Sequence, residues 1–135
     1  MQNKGLTSDY MMRAEHRLAA VELLFNRNSF ADVVRESQEL VELCLKALLR
    51  HSKIEAPRTH DVGVVLVEFA HKLPRSAQIH AAQLAKVSHS LRRDRELAFY
   101  GSEDLTPSDF YQLADAQEAL DNAKWVYSIC HEAIR

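Results

Sequence analysis

Glycine and proline are scarce in this chain, with three of each in 135 residues. Antiparallel sheets joined by tight hairpins need more turn residues than that, so helix becomes the default expectation. Cysteine is scarcer still. Cys44 and Cys130 both fall inside helical apolar patterns, where a free thiol behaves as a small hydrophobe. A disulfide framework is therefore not expected, and a reducing, cytoplasmic setting is. Neither sign of charge dominates. The formal net charge of -2 gives no global electrostatic footprint for nucleic acid and leaves any RNA contact to a local basic cluster. Long apolar runs are missing too. The longest, Val62 to Val67, stops at Glu68 and is far too short to cross a bilayer, while Met1 to Asp9 lacks the apolar core of a signal peptide. No membrane association is expected.

What is present is an ordinary globular balance. Apolar residues make up 47% and charged residues 27%, which is wrong for a disordered chain and suits one domain over residues 1–135. Apolar positions recur at three- and four-residue steps in five segments. The first, about Ser8 to Asn26, carries Met11, Ala14, Leu18, Val21 and Phe25 on one face. After a tight connection capped by Ser29, the second runs from Phe30 to about Ser52 with the strongest pattern: Val33, Val34, Leu40, Val41, Leu45, Leu48 and Leu49. Pro57 stops it. Thr59 or Asp61 can cap the third, whose stripe runs from Val62 through Val65, Leu66 and Phe69 to Leu73 before Pro74. The fourth, about Ser76 to Phe99, turns Ile79, Leu84, Val87, Leu91 and Ala98 inward and stops at Gly101. Thr106, Pro107 and Asp109 open the fifth, which runs to the end through Phe110, Leu113, Ala116, Leu120, Ala123, Tyr127, Cys130 and Ile134. The fold class expected is all-α, a four- to five-helix up-and-down bundle.

Some polar residues do not fit a plain bundle. On the fourth segment the apolar stripe is interrupted: beyond Leu91 it lands on Asp94 or Arg95 before Ala98. A charge near a bundle interior needs a partner or a watery groove. Arg92, Arg93 and Arg95 also place three guanidiniums within one turn, a phosphate-facing cluster or else a solvated helix end whose cations complement the dipole. On the second segment Arg35, Gln38, Glu42 and Lys46 form a ladder beside the apolar face. Glu42 to Lys46 is the favourable intrahelical orientation, worth about 0.2–0.5 kcal/mol. The ladder reads either as a solvated stripe or as counter-charge for the arginines. Glu68 and His71 make one Glu-x-x-His, but di-iron bundles use that spacing twice, and no second copy exists, so no metal or other cofactor is expected. His60 sits at a helix start, where capping and loop chemistry are the plain reading. Glycine-rich phosphate loops, zinc-type Cys/His spacings and settings for an activated thiolate are absent.

Phe30-Ala31-Asp32, then Gln38, Glu42 and Lys46-Ala47-Leu48-Leu49, then Pro57 and Thr59-His60-Asp61, together resemble the HEPN superfamily (higher eukaryotes and prokaryotes nucleotide-binding). The segment from Arg93 to Gly101 resembles that family's arginine–tyrosine helix end, and the resemblance spans about Ser8 to Ile134. It implies an up-and-down bundle that forms a homodimer across a polar groove. It also implies an RNase toxin in many members, with an Arg and a His four to six residues apart, and in one branch a small nucleotidyltransferase partner acting as antitoxin. That branch carries an arginine, four residues, a histidine, one residue and a tyrosine. Arg93 and Tyr100 match the ends, but Ala98 takes the histidine position, and the alternative register from Arg95 to Tyr100 restores no histidine either. Cleavage without a metal needs a group that transfers a proton near neutral pH, which neither arginine nor an ordinary tyrosine does well.

The expectation is therefore a dimeric protein that binds a nucleotide or RNA phosphate without catalysis, with no catalytic residue assigned. Arg93, Arg95, Tyr100, Glu42, Lys46 and His60 are its candidate ligand-binding residues. A ribonuclease toxin of a toxin–antitoxin or defence system, and a helical adaptor without enzymatic activity, are the alternatives.

Overall fold

The apolar stripe of the second segment decides the architecture. In the computed structural model, which describes residues 4–55 and 61–135 (with the side chains of 4, 94–97 and 99 outside the description), this segment is α2, Phe30–His51. Twelve of its 22 residues are buried, more than one face can hold, because α2 is packed by three long helices at once. These are α1 (Lys4–Asn26), α5 (Ala81–Tyr100) and α7 (Leu113–Ile134). Between them lie α3 (Val62–Glu68), a 3₁₀ turn at Ala70–Lys72, the single-turn α4 (Arg75–Gln78) and α6 (Pro107–Phe110).

The result is an all-α up-and-down bundle with Leu40, Leu45, Leu48, Leu49, Leu66 and Leu84 among its fully buried side chains. The α1–α2 hairpin turns at Asn28, whose φ of 62° suits asparagine, and Phe25 packs on Phe30 across it with ring centroids 6.3 Å apart. Arg17 of α1 binds Glu36 of α2 at 2.7 Å, and Glu36 also binds Arg35 at 2.8 Å, which ties the two helices together part-way along the hairpin. Cys44 and Cys130 are free thiols that meet in the core between α2 and α7. The hydrogen bond to Cys44, together with burial, pushes the Cys130 thiol well up, so it is neutral and inert. Among the described residues no helix is long and apolar enough to cross a membrane.

The structure departs from the sequence reading where helices break. The third segment leaves α-geometry at Phe69 and finishes as the 3₁₀ turn. The fourth is interrupted at Ile79 and His80. Gln78 donates its side-chain amide back to the carbonyls of Leu73 (2.8 Å) and His71 (3.3 Å), and the His80 ring packs edge-on against Trp125 with centroids 5.5 Å apart. Ile79, expected inward, is consequently 81% exposed. The fifth breaks at Tyr111 because Gln112 starts a new helix: its backbone N–H donates to Asp115 Oδ2 at 2.8 Å in a reciprocal capping box. Tyr111 is buried, while Phe110 and Leu113, both expected inward, are exposed. Ser29 also differs, since its hydroxyl donates to Asp32 at 2.7 Å rather than accepting from the helix backbone.

Two local devices position α5. Asp61 caps α3 by accepting from Gly63 N–H at 2.9 Å, and its other oxygen stands 3.6 Å from His89 Nδ1 on α5. Gly63 lets the two backbones close up: a β-carbon there would lie 3.1 Å from Ala85 Cα and its carbonyl oxygen. Gly101, at φ 78°, ends α5 as expected.

Leu45→Ala or Leu48→Ala should each cost about 2–5 kcal/mol in chemical denaturation, since both side chains are fully buried at the centre of the bundle. A loss below about half a kcal/mol would place them on the surface.

Candidate functional site

A helix packed on three sides leaves only a narrow strip of its surface for polar side chains. On α2 that strip holds Gln38, Glu42 and Lys46 at four-residue steps, so each can reach the next. Gln38 Nε2 donates to Glu42 Oε2 at 3.0 Å, and Lys46 Nζ lies 3.2 Å from Glu42 Oε1. Burial alone would raise the Glu42 pKa. The hydrogen bond from Gln38, the charge and hydrogen bond of Lys46, and the charge of Arg92 together outweigh it, so the carboxyl titrates below its ordinary value.

The contribution of Arg92 is the informative one, because Arg92 belongs to α5. α5 packs against α2 along a seam, and the exposed Arg92 is near enough for its charge to reach the carboxylate of the ladder, as the smallest of the influences that lower its pKa. Arg35, the ladder's first member, pairs with Glu36 in the α1–α2 ion network. Gln38 is 3% exposed, and its carbonyl oxygen accepts no hydrogen bond among the described residues.

The six residues expected to bind ligand divide into three groups. Glu42 and Lys46 are joined in the seam. Arg93 and Tyr100, seven residues apart on α5, are both exposed, Tyr100 by 74%. The side chain of Arg95 and all of His60 lie outside the described residues. Ala98, at the position where the nuclease pattern has histidine, is 2% exposed and faces the core. Arg92 and Gln38, which the sequence places in the arginine cluster and the ladder, are not among the six candidate ligand-binding residues. The signal for Arg92 was its register: it follows by one turn Ser88, which is itself buried on the flank of the α5 stripe. Glu68 and His71 are exposed, and among the described residues no group of three or more His, Cys, Asp or Glu could hold a metal ion.

Comparison with known proteins adds one finding: a family model described as the HEPN domain matches residues 7–133, nearly the whole chain. No curated protein and no solved structure matches.

The lowered Glu42 pKa has a definite sign for stability. Its folded pKa lies below the unfolded value near 4.5, so the ionised carboxylate contributes stability above that pH, and the contribution is lost as pH falls through the folded pKa. Glu42→Gln should therefore show a shallower loss of stability on acidification than the wild type, measured by denaturant titration from pH 6 to pH 3. Parallel pH profiles would remove Glu42 from the ion network.

Proposed function

The chain belongs to the HEPN domain family, and from that premise we propose that it binds the phosphate of a nucleotide or RNA along the α2–α5 seam without cleaving it. The observation that carries this reading is the packing of α5, with its arginine run, against α2, where Lys46 pairs with Glu42 at 3.2 Å. On this reading the cations are Lys46 from α2 and Arg92 and Arg93 from α5. Guanidinium groups match phosphate oxygens in pairs, and an ammonium adds a mobile point charge. Glu42 neutralises part of this set, which keeps the arginine near the seam and leaves a modest net positive charge for an anion.

The absence of cleavage follows from the position of Ala98. Its side chain is turned to the core, so the histidine of the nuclease pattern has no counterpart on the seam. The reading includes a homodimer in which Arg93 and Tyr100, on the exposed side of α5, line a groove shared by two copies. A minimal nucleotidyltransferase is the partner class that the family resemblance implies, and the cytoplasm is the compartment that suits two free thiols.

Labelled AMP and short RNA should bind purified protein with an affinity that falls as salt rises, since phosphate contacts release counterions. Arg92→Ala and Arg93→Ala should weaken binding, whereas Glu68→Ala and His71→Ala should leave it unchanged. The RNA should stay intact with or without a chelator, and light scattering should return twice the chain mass. Chelator-resistant cleavage by the wild type would overturn the non-catalytic reading, absence of binding at low salt would favour a helical adaptor, and a monomer at all concentrations would exclude the shared groove.

A further inference from the structure

Phosphate binding accounts for the cations of the seam but not for the buried amide beside them. Gln38 lies in the middle of α2, 3% exposed, one turn from Glu42. Its Nε2 donates to Glu42 Oε2 at 3.0 Å. A carboxylate can only accept, so this contact fixes which end of the amide is which: the NH₂ faces Glu42 and the carbonyl points elsewhere. Turning the amide over would set oxygen against oxygen. Glu42 cannot yield easily either, because Lys46 holds its other oxygen at 3.2 Å and the charge of Arg92 helps keep it ionised. The consequence is a carbonyl acceptor held in one direction, desolvated, and with no donor among the described residues. Such a group carries the cost of an unmade hydrogen bond, which an apolar side chain of similar length, such as methionine, would not carry.

The electrostatics around it say which part of a ligand could reach that oxygen. The ionised Glu42 carboxylate one turn away repels a phosphate from this end of the seam and favours a donor. The phosphate belongs with Arg92 and Arg93 on α5. A fixed acceptor next to a carboxylate, together with the cations of the phosphate-binding reading, is complementary to a molecule that carries an anion at one end and a neutral N–H or O–H at the other.

Resting on the phosphate-binding reading, we propose that Gln38 is a specificity-determining residue of the seam, whose carbonyl accepts a hydrogen bond from the base or sugar of a nucleotide while the arginines hold its phosphate. The class of ligand is thereby narrowed from any phosphate to a phosphoester that also carries a hydrogen-bond donor. The oxygen is closed off from solvent in the chain alone, so binding includes a local opening of the seam.

Two kinds of probe of equal charge separate the contributions. Methyl phosphate is a phosphomonoester dianion without a donor at pH 8, and AMP, CMP, GMP and UMP are dianions with several. Calorimetric titration of the full chain should show at least one nucleotide binding more tightly than methyl phosphate. Gln38→Met should lower the affinity for that nucleotide about tenfold, the size of one hydrogen bond to a fixed acceptor, and leave methyl phosphate within about twofold. Gln38→Asn keeps an amide but withdraws the carbonyl by one methylene. It should lose the same advantage, and it covers the case in which methionine disturbs the packing. If all five probes bind and both variants keep the wild-type preference, the role of Gln38 is overturned while the phosphate seam stands. If no probe binds the wild type even at low salt, the seam fails as a phosphate site and the role of Gln38 fails with it.

Discussion

Everything in this fold is arranged around the packing of α2 by α1, α5 and α7. A helix surrounded on three sides can keep only one strip of polar side chains, and whatever stands there must find its partners locally. Gln38, Glu42 and Lys46 run along one edge of that strip, and Glu42 is the member that could not stand alone. Removing a partner from a half-buried carboxylate costs far more than an exposed pair is worth, because desolvation remains when the attraction is gone. Gln38 and Lys46 do most to keep Glu42 ionised, and the charge of Arg92 on α5 adds a smaller influence.

On α5 the residues Leu84, Val87, Leu91 and Ala98 face the core, and Arg92, the residue after Leu91, is exposed. Arg93 and Tyr100 are exposed. An imidazole at position 98 would have to share the packed side with leucine and valine. Guanidinium and ammonium groups attract and orient anions well and transfer protons poorly.

Much of the bundle was legible in the sequence because long helices announce themselves by period. The stripe of α2 named the core almost residue by residue, and Gly101 and the Thr106–Asp109 signal marked a stop and a start that the structure keeps. Breaks were not legible. Ile79 continues a three- and four-residue rhythm, yet the chain turns there because Gln78 folds back on Leu73 and His80 docks on Trp125, contacts between residues whose proximity no local pattern predicts. Phe110 misleads in the same way: the capping box at Gln112 shifts the register by one residue and buries Tyr111 in its place. For the site, the sequence identified the ladder and the arginine run separately. Which arginine meets Glu42 depends on how α5 rotates against α2, and a rotation of one residue exchanges Arg92 for Arg93.

That rotation is the central claim, and the carboxyl group of Glu42 reports on it directly. Its side-chain ¹³C resonance, followed by NMR from pH 2 to pH 7, gives the titration midpoint in the wild type and in Arg92→Gln. The account predicts a wild-type midpoint below 4.5 that moves upward when the guanidinium is removed, with the shift shrinking at high salt. An identical midpoint in the two proteins would mean that Arg92 does not face Glu42, and the seam joining α2 to α5 would not exist as described.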